Sequence, residues 1–133
     1  MNRCGIDIVE IARIAHLRHK DDFIERIFSS RERDIALLRG NRDEFFAGRW
    51  AAKEAVAKAL GCGFGKDCSP VEIEILTDEW NAPQIFLSGA AAQRAGFLGI
   101  TAWCVSISHE KNYAAAMAVA EVNSVVTQGE KDV

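Results

Sequence analysis

Long apolar runs are absent from this sequence of 133 residues. No stretch approaches the roughly 20 apolar residues that a membrane-spanning helix needs. The opening residues, MNRCGIDIVE, also lack the long apolar segment of a signal peptide. The sequence therefore predicts a cytoplasmic protein that has no membrane partner.

A basic excess is also lacking, since 16 lysines and arginines stand against 19 aspartates and glutamates. A general nucleic-acid binder shows a basic excess or a basic stripe, because it must neutralise many phosphates. We therefore expect no nucleic-acid partner. Any phosphate bound here must be contacted by a few placed cations.

The cysteines lack the spacing of a metal site or a disulfide framework. Cys4, Cys62, Cys68 and Cys104 contain no C-x-x-C pair, and the chain shows no export signal. We expect all four to be reduced thiols. A zinc site that combines them with His109 fails on ligand spacing.

Hydrophobic residues, by contrast, make up 49% of the chain and charged residues 26%, which suits one globular domain with a proper core. We place this domain at residues 1–122. The polar and aperiodic residues 123–133 are expected to form a flexible C-terminal tail. The sequence contains no internal repeat and no low-complexity segment.

Alternation of apolar and polar residues predicts the strands. The clearest is VEIEIL at residues 71–76, and others are expected at residues 3–9, 84–87 and 101–109. Residues 113–122 are rich in alanine, which favours helix, but they alternate and follow a short turn. We therefore assign them as a strand paired in a hairpin.

Capping residues mark the starts and stops of the predicted helices. The sequence then favours the α+β class, with an antiparallel sheet packed against helices. The expected helices are a short turn over 23–28 starting from Asp21 or Asp22, one after the Ser29 and Glu32 capping box, one from Asn41 to Leu60, and one from Ser88 to Gly96 or Gly99.

The central helix places two cations on an apolar face. At about 100° per residue, Arg49 and Lys53 project from within an arc of apolar side chains. Either cation alone could extend its stem along apolar surface and reach water with its charged end. Two cations on one arc make an anionic partner more attractive. The arc consists of Phe45, Phe46, Trp50, Ala52, Val56 and Leu60.

Another side of this helix carries Glu54 and Lys58, which are neighbours four residues apart. They could form a solvent-exposed ion pair of about 0.3–0.5 kcal/mol, or serve a metal ion and a phosphate. Asp7, inside the strand GIDIV, could be a solubility device of an edge strand or a buried carboxylate that needs a cation. If Asp7 and Glu54 share a metal ion, water and phosphate would complete its coordination sphere. Such a set of ligands suits magnesium better than zinc or calcium.

His109 ends a predicted strand, where a structural role and a functional role both remain open.

Four motifs occur in order along residues 5–122: GIDIVEIARI, FIERIFSSRE, FAGRWAAKEAVAKALG and SISHEKNYAAA. Together they resemble the holo-[acyl-carrier-protein] synthases, the short bacterial class of 4′-phosphopantetheinyl transferases. The resemblance implies the fold of that superfamily.

The resemblance also implies a reaction of fatty acid biosynthesis. A serine of apo acyl carrier protein attacks coenzyme A, takes its 4′-phosphopantetheine group and releases adenosine 3′,5′-bisphosphate. It implies Mg²⁺ as cofactor, coenzyme A as substrate, acyl carrier protein as partner, and a homotrimer with sites between subunits. The proton acceptor for the serine is left open between Glu54 and a metal-bound water.

The resemblance assigns roles to individual residues. Asp7 and Glu54 take the metal-ligand positions and, with Lys58, the catalytic ones. The implied coenzyme A contacts are Arg49, Lys53, Lys58, Gly63, Gly65, Pro83, Ser108 and His109, and the implied carrier-docking residues are Arg13, Phe23 and Arg26. A non-catalytic coenzyme-A-binding or oligomeric module is the alternative. Such a module would have no need for the carboxylates of Asp7 and Glu54.

Overall fold

The computed structural model describes residues 1–20 and 22–123. The expected flexible tail falls, apart from Asn123, on residues 124–133, which lie outside the described residues. Asp21, one of the two expected starts of the first short turn, lies outside them as well. No helix in the described part of the chain is both long and apolar enough to cross a membrane.

Strands and helices follow one another in an α+β arrangement, which confirms the expected class. The strands are β1 (Asn2–Glu10), β2 (Ile73–Thr77), β3 (Pro83–Leu87), β4 (Ile100–His109) and β5 (Tyr113–Val122). The helices are α1 (Ile11–Leu17), α2 (Phe23–Ile27), α3 (Ser30–Ala36), α4 (Arg42–Leu60) and α5 (Gly89–Leu98).

The strands form two antiparallel sheets. One has three strands in the order β1-β5-β4, and the other pairs β2 with β3. β4 and β5 are joined by a short turn, as the alternation in residues 113–122 predicts. Alanine therefore does not make β5 helical, because its alternate alanines pack on the core face while the intervening residues face outwards.

Helix α4 lies against the inner face of the larger sheet. Ala114, Ala116, Ala118 and Ala120 of β5 are buried there, and small side chains let the helix come close. At Gly5 of β1 the strand and the helix are so close that a Cβ at this position would lie 2.0 Å from the carbonyl oxygen of Ala55. The core of the molecule is centred on α4.

The helix caps predicted from the sequence are observed at α3 and α4 but only in part at α5. Ser29 and Glu32 form the expected capping box, and the side chain of Asn41 accepts a hydrogen bond from the Glu44 N–H at 3.0 Å. Gly61 ends α4 with a left-handed φ of 76°. Ser88 precedes α5 but makes no side-chain cap. The N–H groups of α5 are satisfied instead by a carboxylate from elsewhere in the chain, that of Glu72.

Candidate active site

Asp7 faces helix α4 because of its place in β1. It lies two residues after Gly5, so both face the same side of the strand. The close approach at Gly5 brings this part of β1 onto the turn of α4 that holds Ala55 and Lys58. Asp7 is consequently held beside the polar side of α4 and is mostly buried, with 19% of its side chain exposed.

Lys58 connects α4 to β1. Its Nζ donates to the carbonyl oxygen of Ile6 at 2.9 Å and lies 3.3 Å from Oδ1 of Asp7. The side chain is 53% exposed, so part of the ammonium remains open to solvent. Lys58 is therefore held by the strand, and it is not simply the solvent-facing partner of Glu54.

Glu54 completes a cluster of charged groups with Asp7 and Lys58. The pKa of Glu54 is raised, first by burial and then by the negative charge of Asp7, while Lys58 and Arg13 oppose the rise. The two carboxylates therefore repel one another across this cluster. Arg13, which the resemblance places at the docking surface, is also close enough to act on Glu54.

This donor set fits a magnesium ion. Two carboxylates in mutual repulsion gain from a divalent cation, and magnesium keeps several coordination positions for water and substrate phosphate. In the described residues, no set of three or more His, Cys, Asp or Glu side chains could hold a metal. Any ion held by Asp7 and Glu54 would keep most of its coordination sphere for other ligands.

A second polar site lies on another side of α4, in a cavity of about 460 Å³. It brings together three of the residues assigned to coenzyme A, namely Arg49, Pro83 and His109. Its remaining lining residues are Arg39, Gly40, Asn41, Glu44, Phe45, Gly48, Asn81 and Ile107. Asp7, Glu54 and Lys58 do not line it.

Arg49 is the most unusual group in this cavity. Only 7% of the residue is exposed, and its Nε and Nη2 have no hydrogen-bond partner. The guanidinium lies over the Phe45 ring, 4.5 Å from the centroid. Burial, assisted by the positive charge of Arg39, lowers the pKa of Arg49 to about 10. Arg49 therefore stays charged at neutral pH and offers unused donors to an anion.

His109 enters the cavity from the end of β4. Its side chain is 48% exposed, and Nδ1 lies 3.8 Å from Oε1 of Glu44. A structural histidine packed in the core would be enclosed. Exposure at the mouth of a cavity that also holds Arg49 favours a binding role.

Arg39 and Asn81 also belong to this cavity and were not singled out from the sequence. The Arg39 guanidinium lies over the Phe45 ring at 5.2 Å and donates from Nη2 to Oδ1 of Asn81 at 2.9 Å. The RGNR segment signalled only the end of one helix and the start of the next. Nothing in the sequence around Arg39 distinguishes it from any other cation beside a helix cap.

Lys53 does not reach the cavity, which corrects its assignment to coenzyme A. Its side chain is fully buried, and Nζ lies 2.9 Å from Oε1 of Glu32. It also donates to the carbonyl oxygens of Pro70, at 2.9 Å, and Ile73. The ammonium is fully engaged inside the protein, so Lys53 has a structural role.

Phe23 is likewise buried, with 8% exposed, and packs edge-to-face on Trp50 at 6.2 Å. Its assignment to the docking surface is corrected to a place in the core. Arg13 and Arg26 are exposed. Gly63 and Gly65 are exposed in the loop after α4, and Ser108 is exposed on the outer face of the larger sheet.

Known sequences resemble this chain over most of its length. The sequence model of the 4′-phosphopantetheinyl transferase superfamily matches residues 3–118. A holo-[acyl-carrier-protein] synthase of Hydrogenovibrio crunogenus is 43% identical over 122 residues, which cover 90% of this chain and 96% of the relative. The corresponding protein of Solidesulfovibrio magneticus is 46% identical over 123 residues, which cover 88% and 95%.

Solved structures agree in fold. The holo-[acyl-carrier-protein] synthase of Neisseria meningitidis gives a TM-score of 0.82 at 33% identity, covering 90% of this chain and 97% of that chain. The synthase of Helicobacter pylori, solved in complex with coenzyme A, gives 0.78 at 38% identity, with coverages of 89% and 99%.

Proposed function

This chain belongs to the 4′-phosphopantetheinyl transferase superfamily, and on that basis we propose that it is a transferase that moves the 4′-phosphopantetheine group of coenzyme A onto a serine of an acyl carrier protein. A bond forms between the serine oxygen and the β-phosphorus of the pyrophosphate. The bond between that phosphorus and the bridging oxygen breaks, and adenosine 3′,5′-bisphosphate leaves. The cluster of Asp7, Glu54 and Lys58 at the β1–α4 contact is the observation that carries the proposal.

Charge neutralisation is the main requirement of such a transfer, because the reacting pyrophosphate is already anionic. Asp7 and Glu54 would hold a magnesium ion, which when bound would neutralise phosphate oxygens and polarise the phosphorus centre. Lys58, fixed by Ile6 and partly exposed, would place its ammonium against the same oxygens. The rest of the chemistry is a proton transfer.

Either Glu54 or a water bound to the metal would accept the proton of the attacking serine. A carboxylate becomes a better proton acceptor as its pKa rises towards the working pH. Burial and the charge of Asp7 raise the pKa of Glu54, whereas a bound Mg²⁺ would lower it. The same ion would lower the pKa of a water that it holds.

The cavity around Arg49 would hold a phosphate of coenzyme A. A guanidinium forks onto phosphate oxygens through parallel hydrogen bonds, and Arg49 has unpartnered donors that could supply them. His109 and Pro83 line the same space, and Arg39 adds a second positive charge. Ser108, Gly63 and Gly65 remain proposed contacts with other parts of coenzyme A.

The two polar sites lie on different sides of one helix. Arg49 and Glu54 are five residues apart, which separates their directions by roughly 140° around the helix axis. One coenzyme A bound to both sites therefore favours a second copy of the chain that supplies one of them. A site between subunits of a homotrimer meets this requirement.

The outer face of the larger sheet would form the contact between copies. Ile6 is 65% exposed, Ile8 66% and Met117 47%. Ile6 pairs with Met117 across β1 and β5, so these side chains form one apolar strip. Such a strip is typical of a protein–protein interface.

Arg13 and Arg26 would bind the acidic carrier. Both are exposed, on α1 and α2. Arg13 also acts electrostatically on Glu54. This supports a docking surface next to the proposed catalytic cluster, to which a bound carrier would present its serine.

Intact-mass spectrometry of the carrier tests the function. The chain is incubated with coenzyme A, Mg²⁺ and an apo acyl carrier protein, and we expect the carrier to gain one phosphopantetheine group only when the metal is present. Asp7→Asn should abolish the gain, whereas Asp34→Asn, at an exposed carboxylate of α3, should leave it unchanged. If coenzyme A binds but no carrier is modified, the non-catalytic binding module becomes the better description.

A further inference from the structure

The turn between β2 and β3 carries an exposed tryptophan. Trp80 is 79% exposed, whereas Trp50 stacks on Phe64 and Trp103 packs against the core. Tryptophan is largely buried in most proteins, because its ring presents a wide apolar surface to water. An indole that the single chain leaves in solvent is therefore a candidate for contact with a ligand or a partner.

Hydrogen bonds fix the backbone beneath this indole. Oδ1 of Asp78 accepts from the N–H groups of Trp80, at 2.8 Å, and Ala82, at 2.9 Å. The Asp78 N–H donates to the carbonyl oxygen of Ala82, and the Asn81 N–H to that of Asp78, both at 2.9 Å. Asn81 adopts a left-handed φ of 67°, which asparagine tolerates better than most residues. The turn therefore holds Trp80 in a defined place and leaves freedom mainly in its side-chain torsions.

The same turn forms one side of the cavity around Arg49. Asn81 and Pro83 line that cavity, and Arg39 donates to the Asn81 side chain at 2.9 Å. Trp80 directly precedes Asn81, so its backbone lies one peptide unit from a lining residue and its ring is within reach of the cavity rim. The cavity thus contains two guanidinium groups and has a solvent-exposed aromatic residue at its edge.

We propose that Trp80 stacks on the adenine base of coenzyme A when Arg49 binds a phosphate of the same molecule. This role of Trp80 rests on the proposed function. A nucleotide combines a planar base with anionic phosphates, and an aromatic face beside guanidinium groups matches both. The pantetheine arm of coenzyme A has no ring to stack on an indole.

The phenylalanine ring inside the cavity is not free for this contact. The guanidinium groups of Arg49 and Arg39 lie over the Phe45 ring, at 4.5 Å and 5.2 Å from its centroid. Phe45 is also buried, so a base cannot cover its ring without displacing a cation. A base beside the cavity would instead find the indole of Trp80 at the edge.

Stacking on the base affects binding rather than the transfer step. The adenine ring is unchanged by the reaction and leaves with adenosine 3′,5′-bisphosphate, so Trp80 would hold it equally in the bound substrate and in the transition state. Trp80→Ala should therefore raise the KM for coenzyme A without lowering kcat. Trp80 is consequently a specificity residue and not a catalytic one.

Calorimetric titration with adenosine 3′,5′-bisphosphate tests the contact without relying on transfer. We expect Trp80→Ala to weaken the affinity about fivefold or more, the usual effect of losing a stacked base, while Trp80→Phe retains most of the affinity. Inorganic pyrophosphate, which has no base, should bind wild type and Trp80→Ala equally. Phe97→Ala, which removes another exposed ring, is the matched control and should bind the nucleotide as wild type does.

Tryptophan fluorescence gives a second readout. The nucleotide should quench the emission of wild type, and Trp80→Phe should lose this quenching because the stacked indole is the one removed. Equal nucleotide affinity in wild type and Trp80→Ala would overturn the role of Trp80 and leave the proposed function standing. So would a lower mass of Trp80→Ala in light scattering, which would assign the ring to a contact between copies. A wild-type chain that does not bind the nucleotide would overturn both.

Discussion

At the scale of single residues, Arg49 combines features that seldom occur together. A buried cation without hydrogen-bond partners is costly, because burial removes its hydration. Contact with the Phe45 ring offsets only part of that cost. A residue of this kind destabilises the free protein and is best explained by a ligand that completes its hydrogen bonds.

Replacing Arg49 by methionine should therefore separate stability from binding. Methionine keeps much of the apolar stem but removes the buried charge, so we expect a higher Tm in the absence of ligand. Coenzyme A affinity should fall at least tenfold, since leaving a bound phosphate without its cation costs about 2 kcal/mol or more. Thermal unfolding and calorimetric titration with coenzyme A measure the two effects.

Arg42→Met, at an exposed arginine in the first turn of the same helix, is the matched control. It should change neither quantity appreciably. Unchanged coenzyme A affinity in Arg49→Met would remove Arg49 from the proposed site.

At the scale of elements, helix ends are held by side chains from distant parts of the chain. Arg3 donates to the carbonyl oxygen of Ala59 at 2.7 Å and Arg94 to that of Leu60 at 2.9 Å, so two cations satisfy the end of α4. Glu72 accepts from the N–H groups of α5 residues Ala90, at 3.0 Å, and Ala91, at 3.3 Å. These contacts fix α4 to β1 and to α5, and α5 to the residue before β2.

Glu72 makes the stability of the fold dependent on acidity. Burial acts to raise the pKa of Glu72, but hydrogen bonds from the N–H groups of Ser69, Ala90 and Ala91 outweigh it and leave the pKa lowered. The folded protein therefore binds this proton less tightly than the unfolded chain. The stabilisation is present above the ordinary glutamate pKa and is lost as the pH falls through the lowered value.

The variant Glu72→Ala should lose about 1 kcal/mol at neutral pH, the typical effect of removing a helix cap. The difference from wild type should shrink as the pH falls below the ordinary glutamate range. Urea unfolding at several pH values measures it, with exposed Glu79→Ala as control. A difference that stays constant down to strongly acidic pH would show that the carboxylate charge is not responsible.

At the scale of the whole molecule, the larger sheet covers the core with one face and leaves an apolar strip on the other. The strip lies on β1 and β5, whereas Asp7, which we propose as a catalytic carboxylate, lies on the opposite side of β1, facing α4 and Glu54. A contact between copies through this strip would therefore cover Ile6 and Ile8 without filling the site around Asp7 and Glu54.

A charge in this strip should prevent the proposed assembly. We expect Ile8→Lys to behave as a monomer of about 14.6 kDa and to lose activity, while its circular dichroism stays that of wild type because Ile8 is largely exposed in the single chain. Phe97→Lys, at a position 82% exposed on α5, is the control and should leave assembly unchanged. Light scattering with size-exclusion chromatography measures the masses. A monomeric wild type with full activity would contradict the proposed assembly.

Periodicity and capping were sufficient to predict most of the fold. Each strand and helices α2 to α5 of the described residues were expected close to their observed places, although β2 begins at Ile73 because Pro70–Glu72 forms a 3-10 turn first. Helix α1 (Ile11–Leu17) was not predicted. Ser88 stands at the start of α5 as expected, but the sequence does not show that the carboxylate of Glu72, rather than the Ser88 side chain, accepts from the first N–H groups of this helix. A capping pattern in the sequence predicts only hydrogen bonds between residues that are neighbours along the chain.

The candidate site was only partly accessible from the sequence. A helical wheel gives the direction of Arg49 and Lys53 but not the depth of burial, nor that Glu32 lies opposite Lys53. The family resemblance placed Phe23 on the docking surface, and it too gives no information on how deeply this side chain is buried. Arg39 was missed because its role depends on Phe45 and Asn81, which only the tertiary structure brings to it.

The buried pair of Lys53 and Glu32 has a consequence for how this sequence can change over time. Glu32 also accepts from the Ile75 N–H at 2.7 Å, so the pair ties α3, α4 and β2 together. Replacing one partner alone leaves an enclosed charge and costs about 3–5 kcal/mol, a large part of a typical folding free energy of about 5–15 kcal/mol. Replacing both together is far less harmful. The two positions are therefore expected to be inherited as a unit, and a lineage that loses one must lose the other almost at once.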